Sequence, residues 1–391
     1  MKKNAIFLLI ICLCLFLSGC KAAQVVDGHI SINDWEDGSE SALQSIQVDR
    51  KSINRILCIQ NENFIYSCYE NEDTILAFYR YDSKEGLTYR VGEIEYPFVS
   101  SGDITVLDDN VFFYYNAYDV MNADTDPPEV KEESALYQID ISENTLQKLA
   151  DDNGDQTLIY LDSLDGSIIS LKGRVEGDKG ITYLDRIDIS NGSSRGFDMF
   201  ISKEYDRQGL TGEVIYQFCE SDSNIYLLVW TEKSADGISW TIEEYDHDGK
   251  YIDEWSLDDR TADALNGERI SEFEIYGEYG FVSNFSGRGV LFRISADAVT
   301  PVLMSEPDMS MNIAASADGS ASDHFVLYSR ETGEIWRLDV ADDALYKLDL
   351  PYEHINYIYL SNDNRILISS DDTLYGELTR IPCEDGNLLV Q

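Results

Sequence analysis

The segment Gly192–Gly196 fits the pattern G-x-S-x-G, in which a serine acts as the nucleophile of a hydrolase. That chemistry needs a strand before the serine, a helix after it, and an acid and a histidine later in the chain. A strand-like run does end at Ser190, but Phe197–Phe200 is also strand-like, and no alternating strand and helix units surround the motif. Asn, Gly and Ser are ordinary turn residues, so we expect a hairpin turn here and assign no catalytic residue.

Asp246–Gly249 resembles the middle of a calcium-binding loop. An EF-hand loop closes with a bidentate Glu six residues after its Gly, and that position is Trp255. We therefore expect a turn between two strands. Two other acidic segments, 151–155 and 122–126, have no fixed ligand spacing, so a surface Ca²⁺ is the most they allow. No cofactor or metal site is predicted.

Histidines and tryptophans give no clearer signal. The four histidines are scattered along the chain: His29, His247, His324 and His354. With 73 acidic residues, the carboxylate pair of a glycosidase could arise anywhere and is uninformative. Four tryptophans lie in strand-like runs, where packing is the expected role and a sugar or partner platform the alternative: Trp230, Trp240, Trp255 and Trp336.

Cys20 is the cysteine with a distinctive setting. It follows a basic start at residues 1–3, an apolar run of 13 residues from Ala5 to Leu17, and the small residues Ser18 and Gly19. The run spans only about 20 Å as a helix, which is too short for a hydrocarbon core of about 30 Å. It therefore indicates the apolar part of a secretory signal.

Residues 1–20 closely resemble the signal and lipobox of bacterial lipoproteins. The resemblance implies cleavage between Gly19 and Cys20, with a diacylglycerol on the thiol of Cys20, which becomes the mature N-terminus. The protein would then lie outside the cytoplasm, anchored to the cell membrane by lipid. The alternative is an ordinary secretory signal with a chance cysteine.

The charge supports a lipid anchor over an electrostatic one. The chain has 29 Lys+Arg against 73 Asp+Glu, a formal charge of −44 and a pI near 4.1. Removal of the signal also removes Lys2 and Lys3, which leaves 27 basic residues and a charge of −46. Such a body does not bind nucleic acid or anionic lipid unaided. At 43% apolar and 12% aromatic residues the chain can nevertheless build a core, which excludes a disordered acidic polymer.

Three segments are predicted: a signal peptide at 1–19, a lipid-anchored acidic tether at 20–50, and a folded domain at 51–391. As a flexible coil the tether spans roughly 30 Å, although Gln44–Val48 could form a strand on the domain. Four cysteines remain in the domain: Cys58, Cys68, Cys219 and Cys383. A Cys58–Cys68 disulfide is conceivable in an oxidising compartment, but a turn at 61–62 would place the two out of register, so buried thiols are favoured.

From Ser52 onward, apolar runs rich in β-branched and aromatic residues alternate with Asp, Asn, Gly and Ser turns, the pattern of strands and hairpins. One run recurs seven times, and its copies start at Thr74, Ala135, Ile181, Ser239, Val290, Glu334 and Thr373. The mean spacing of about 50 residues is typical of propeller blades. Most copies have strand-like runs on both sides, and many runs are apolar on both faces. The prediction is an all-β fold, a β-propeller of seven four-stranded blades. Six or eight blades, or two β-sandwiches, are the alternatives.

The segment 316–339 is similar to the repeat of TolB-like propellers: an Asp-Gly turn, an apolar strand ending in Ser329, a polar turn, and a strand ending in Asp339. Leu360–Ser370 matches the first half again. The resemblance is to a WD-like architecture and implies no particular ligand.

These features predict an acidic binding module at the cell envelope. Its partners would be an envelope protein, a peptide or a glycan, met by loops at the blade ends, with cationic ligands favoured by the charge. A propeller-type glycoside hydrolase or lyase is the rival, and a structural subunit of an envelope assembly is a third alternative.

Overall fold

The structure is a computed structural model of the 391-residue chain. It describes residues 23–25, 31–34, 44–47, 53–60, 63–70, 75–82, 85, 87–95, 98–122, 129–151, 157–164, 167–187, 198–208, 211–221, 224–233, 237–265, 270–296, 298–305, 309–316, 324–340, 344–349, 357–360, 366–369 and 387–390.

Three short strands come first in the chain: β1 (Ala23–Val25), β2 (Ser31–Asp34) and β3 (Gln44–Gln47). Each pairs with the edge of a sheet formed much later in the chain.

The next strands form antiparallel four-stranded units in which neighbours in sequence pair with one another. The first sheet holds β4 (Ile53–Gln60), β5 (Asn63–Glu70), β6 (Ile75–Asp82) and β7 (Leu87–Glu95). The second holds β8 (Phe98–Leu107), β9 (Asn110–Asn122), β10 (Glu129–Asp140) and β11 (Thr145–Asp151).

The third and fourth units follow the same order. The third is β12 (Thr157–Leu164), β13 (Ser167–Glu176), β14 (Lys179–Ile187) and β15 (Asp198–Asp206). The fourth is β16 (Thr211–Ser221), β17 (Asn224–Lys233), β18 (Gly237–Asp246) and β19 (Tyr251–Ser256). A short pairing of β15 with β16, at Tyr205–Gly212 and Asp206–Thr211, joins them into one eight-stranded sheet.

Helix α1 (Asp259–Leu265) precedes the fifth sheet. That sheet holds β20 (Ile270–Tyr276), β21 (Tyr279–Asn284), β22 (Gly289–Ser295) and β23 (Ala298–Ser305), with β1 added antiparallel to β23. The sixth sheet holds β24 (Asn312–Ile313), β26 (His324–Tyr328), β27 (Glu334–Asp339) and β28 (Ala344–Asp349), with β2 added parallel to β28. The last sheet runs β25 (Ala315–Ser316), β29 (Tyr357–Leu360), β30 (Ile366–Ser369), β31 (Asn387–Val390) and then β3.

Successive sheets pack face to face, and the middle sheets use both faces. Along β9, Phe113 packs with the first sheet, whereas its neighbours Phe112 and Tyr114 pack with Ile168 of the third. Along β17, Leu227 packs with the third unit and Leu228 with the fifth sheet. The fifth sheet in turn shares a core with the sixth. A sandwich sheet would bury one face only, so this chain of interfaces is a β-propeller and not two sandwiches.

In the second to fifth sheets the innermost strand is the first one, since β12 contacts both β8 and β16, and β16 contacts β20. Six of the seven recurring runs prove to be the third strands of their sheets, namely β6, β10, β14, β18, β22 and β27. The seventh run, starting at Thr373, lies outside the described residues, so the count of seven blades stays a prediction.

The segment predicted as a flexible tether differs in the structure, because it supplies three strands. Only Gln44–Val48 was expected to pair, and β3 occupies that position on β31. β1 and β2 were not expected. The outer strand of a sheet has an unpaired row of N–H and C=O groups, which an extended segment can satisfy. The predicted boundaries at residues 19 and 50 stay predictions.

Candidate functional site

Several predicted positions lie outside the described residues. These are Gly19 and Cys20 of the lipobox, the 192–196 motif, and Cys383. The remaining domain cysteines, Cys58, Cys68 and Cys219, are buried thiols within strands.

The acidic segment at 246–249 is a hairpin turn between β18 and β19, as expected. The carboxylate of Asp246 accepts hydrogen bonds from the backbone N–H groups of Asp248 at 3.0 Å and Lys250 at 2.8 Å. Gly249 has a φ of +78°, which favours glycine. The carboxylate is thus occupied in closing the turn. Elsewhere, Asp151 ends β11 and Asn122 ends β9, and the rest of both acidic segments lies outside the description.

The strand tryptophans are part of the core, as expected. Trp240 is buried and meets Tyr216 edge-on at 5.2 Å, and Trp336 is buried between the fifth and sixth sheets. Trp230 and Trp255 pack against the core shared by the fourth and fifth sheets. Of the histidines, His247 is exposed in its turn and His324 begins β26.

A polar cluster lies where the fifth and sixth sheets meet, on strands β20 and β21, around β24, and in the turn that follows β26. Glu272 of β20 is half-buried as a residue, but its carboxyl group is enclosed by protein. Oε2 accepts a hydrogen bond from Ser283 Oγ at 2.9 Å and from the backbone N–H of Ile313, on β24, at 3.2 Å. Ser271 Oγ lies 2.8 Å from Ser283 Oγ. The carboxyl therefore bridges two neighbouring sheets.

Burial raises the pKa of the Glu272 carboxyl above its ordinary value. The hydrogen bonds from Ser283 and Ile313 favour the charged form and offset this only in part, as does the positive charge of Arg330. Glu272 thus keeps its proton to a higher pH than an exposed glutamate does.

Glu331 follows the strand β26 on the sixth sheet and behaves in the opposite way. Burial would raise the pKa of its carboxyl, but hydrogen bonds outweigh burial and lower it. Oε2 accepts from Ser310 Oγ at 2.5 Å, from the backbone N–H of Ser310 at 3.1 Å and from Ser329 Oγ at 3.2 Å. We call the five residues Ser271, Glu272, Ser283, Ser310 and Glu331 the serine–glutamate cluster.

Glu272 tends to hold its proton, and Glu331 tends to lose it. The two carboxyls accept from backbone N–H groups of one short segment, Glu331 from Ser310 and Glu272 from Ile313. Carboxyls whose pKa values are perturbed in opposite directions are candidates for binding or proton transfer. The serines supply hydroxyl groups that can donate or accept.

Other buried charges belong to ion pairs that join strands. Lys203 Nζ lies 2.7 Å from Glu243 Oε1 and 3.0 Å from Glu213 Oε2. Although burial alone would lower the pKa of Lys203, these two carboxylates raise it. Tyr245 donates to Glu243 at 2.6 Å, and burial together with this bond raises the tyrosine pKa.

A second buried pair joins Lys172 Nζ to Asp185 at 3.1 Å, with both side chains nearly inaccessible. Every charge in these pairs has an opposite partner at bonding distance, so packing explains them.

Nothing in the sequence indicated the cluster. Glu272 lies on the face of β20 that also carries Tyr276, toward the sixth sheet. Its partner Ile313 is 41 residues further along the chain, so no local pattern joins the two.

Within the described residues, no group of three or more His, Cys, Asp or Glu side chains is arranged to hold a metal ion. Among the same residues, no helix is long and apolar enough to cross a membrane.

No protein-family model matches the chain, and no curated protein sequence is significantly similar to it. Among solved structures, the chain is similar to the N-terminal domain of Nup159, at 10% identity and a TM-score of 0.48, covering 92% of this chain and 97% of that one. It is also similar to the Dos1 propeller, at 11% identity and a TM-score of 0.45, covering 86% and 76%. These likenesses concern the course of the strands; the class that the sheets and their two-sided packing define is the β-propeller.

Proposed function

We propose that this chain is an exported lipoprotein, held at the membrane by Cys20, whose acidic β-propeller is a binding module at the cell envelope. The observation that carries the binding role is the use of both sheet faces in packing, as along β9 and β17. Strand ends, turns and the innermost strands are what remains for a partner.

The anchor rests on the lipobox resemblance of residues 1–20. Cys20→Ala should abolish incorporation of a clickable palmitate analogue and move the protein out of the membrane fraction. Cys14→Ala is the matched control, because it changes a cysteine of the apolar run and should leave labelling intact. Continued labelling of Cys20→Ala would contradict the anchor.

The binding role is tested with charged probes on the full chain in detergent micelles. An oligolysine peptide should bind more tightly than an oligoglutamate peptide, and its affinity should fall as salt rises, since screening shortens the reach of surface charge. An affinity that is independent of salt would contradict a role for the acidity. A neutral oligosaccharide array tests glycans in the same format.

An enzyme is a second candidate, because burial raises the pKa of Glu272, as in the general acid of a glycoside hydrolase. Wild-type protein would then cleave an aryl glycoside or a polyuronate, and Glu272→Gln would lose the activity. Absence of turnover by wild type across such a panel favours the binding module. A structural subunit would instead co-purify with a stoichiometric partner from detergent-solubilised membranes.

A further inference from the structure

Strand β1 lies very close in sequence to the predicted anchor. Ala23 pairs with Ser305 and Val25 with Leu303, antiparallel, on the outer edge of the fifth sheet. Cys20 precedes Ala23 by three residues, and three extended residues reach at most about 11 Å. A lipid on Cys20 would therefore bring the Ser305 end of this sheet close to the bilayer.

The turn between β21 and β22 is at the same end of the sheet. Ser283 pairs with Gly289, and the backbone N–H of Gly289 donates to Ser305 Oγ at 3.0 Å. Residues 285–288 thus project beyond Ser305. The N-terminal end of β1 lies at this end too, because Ala23 pairs with Ser305, so the chain leads from here toward Cys20.

This turn is held firmly on the inside. Asn284 is buried, its Nδ2 donates to the carbonyl of Leu265 at 3.2 Å, and its Oδ1 accepts from the backbone N–H of Arg288 at 3.0 Å. Gly287 has a φ of +82°, and its carbonyl accepts from the N–H of Met311 at 2.7 Å. The turn is therefore an ordered platform.

The outside of the platform carries a large exposed aromatic side chain. Phe285 is 70% exposed, the highest value for a large hydrophobic side chain among the described residues. The next is Val175 of β13, at 55%. An aromatic side chain on an ordered turn, turned toward water, suits insertion into the interface of a bilayer. Arg288, in the same turn, brings the charge sign that attracts lipid phosphate.

We propose that Phe285 and its turn dock the propeller onto the bilayer that holds the Cys20 lipid, so that the domain rests on the membrane by the Ser305 end of its fifth sheet. The inference rests on the proposed lipoprotein function. The occupant is lipid because the predicted anchor is within about 11 Å of this edge. The acidic N-terminal segment then pairs with outer strands of the propeller and does not hold the domain away from the membrane.

Photo-crosslinking tests the docking. p-Benzoylphenylalanine replaces Phe285 in one sample and Leu87 in a matched control, in the full lipidated chain reconstituted into phosphatidylethanolamine–phosphatidylglycerol vesicles. Both side chains are exposed, but Leu87 follows the turn between the third and fourth strands of its sheet, at the opposite end from the turn between second and third strands that carries Phe285. Irradiation should yield lipid adducts at position 285 several-fold above those at position 87. Equal yields, or adducts at 285 to protein alone, would overturn the proposal.

The mass of the mature N-terminus separates this inference from the function on which it rests. If Cys20 carries lipid and position 285 shows no excess of adducts, only the docking fails. If Cys20 is unmodified, the lipoprotein function fails and the docking falls with it. Phe285→Ser, compared with wild type by circular dichroism and thermal unfolding, should show an unchanged fold.

Discussion

The interface between the first and second sheets is filled with apolar side chains, whereas the one between the fifth and sixth sheets also encloses the carboxyl of Glu272. In the first, Phe113 meets Phe78 at 4.9 Å and Tyr137 at 5.7 Å between ring centroids. In the second, Glu272 bridges the sheets beside the buried core. The same architecture thus permits a purely structural interface and one whose charge can change with pH or ligand.

Phe113→Ala should have the largest effect on stability and defines the apolar side of the comparison. The ring is 2% exposed and packs against both sheets. Its loss should lower the free energy of unfolding by about 3–5 kcal/mol, from lost burial and the cavity left behind. Urea unfolding at neutral pH measures it.

Leu87→Ala is the control on the first sheet, because Leu87 is 51% exposed. It should change the unfolding free energy by no more than about 0.5 kcal/mol. Similar losses from both variants would show that the first interface is not a packed core.

Glu331→Gln should have an intermediate effect and should depend on pH. The folded-state pKa of Glu331 is lowered, so its charged form stabilises the fold above the unfolded pKa, and this stability is lost as pH falls through the folded pKa. The variant should lose about 1 kcal/mol near pH 7, since the site is partly exposed and solvent weakens its bonds. The difference from wild type should vanish in strong acid. A difference that stays constant between pH 7 and 3 would contradict the role of the charge.

The sequence predicted the apolar part of this comparison well. Runs such as Asn110–Ala117 are apolar on both faces because each face of β9 meets a different sheet. That property distinguishes a propeller strand from a half-solvated one, so the fold followed from composition and spacing. The turn at Asp246 followed equally directly from its residues.

Features that depend on tertiary context were missed. Helix α1 is seven residues long, too short for a periodic signal, and its one local mark is Asp258, whose carboxylate accepts from the N–H of Thr261 at 2.8 Å. The pairing of β1 with β23 joins residues that lie about 280 apart in sequence, and the acidic segment around β1 has no local pattern that predicts this pairing. Glu272 was missed because its bond to Ile313 joins two sheets across 41 residues of sequence.

Glu272→Gln should change stability with the opposite sign to Glu331→Gln. The folded-state pKa of Glu272 is raised, so its contribution is fully present below the unfolded pKa and is lost as pH rises through the folded pKa. A glutamine oxygen can still accept from Ser283 and Ile313, but it carries no buried charge. The variant should therefore equal or exceed wild type near pH 7, by up to about 1 kcal/mol, and match it near pH 4. Unfolding curves at both pH values decide this. A variant less stable than wild type at pH 7 would mean that the charged carboxylate holds the fifth and sixth sheets together. Glu272 would then act as the buried ion pairs do, through its charge, and not as a group that keeps its proton.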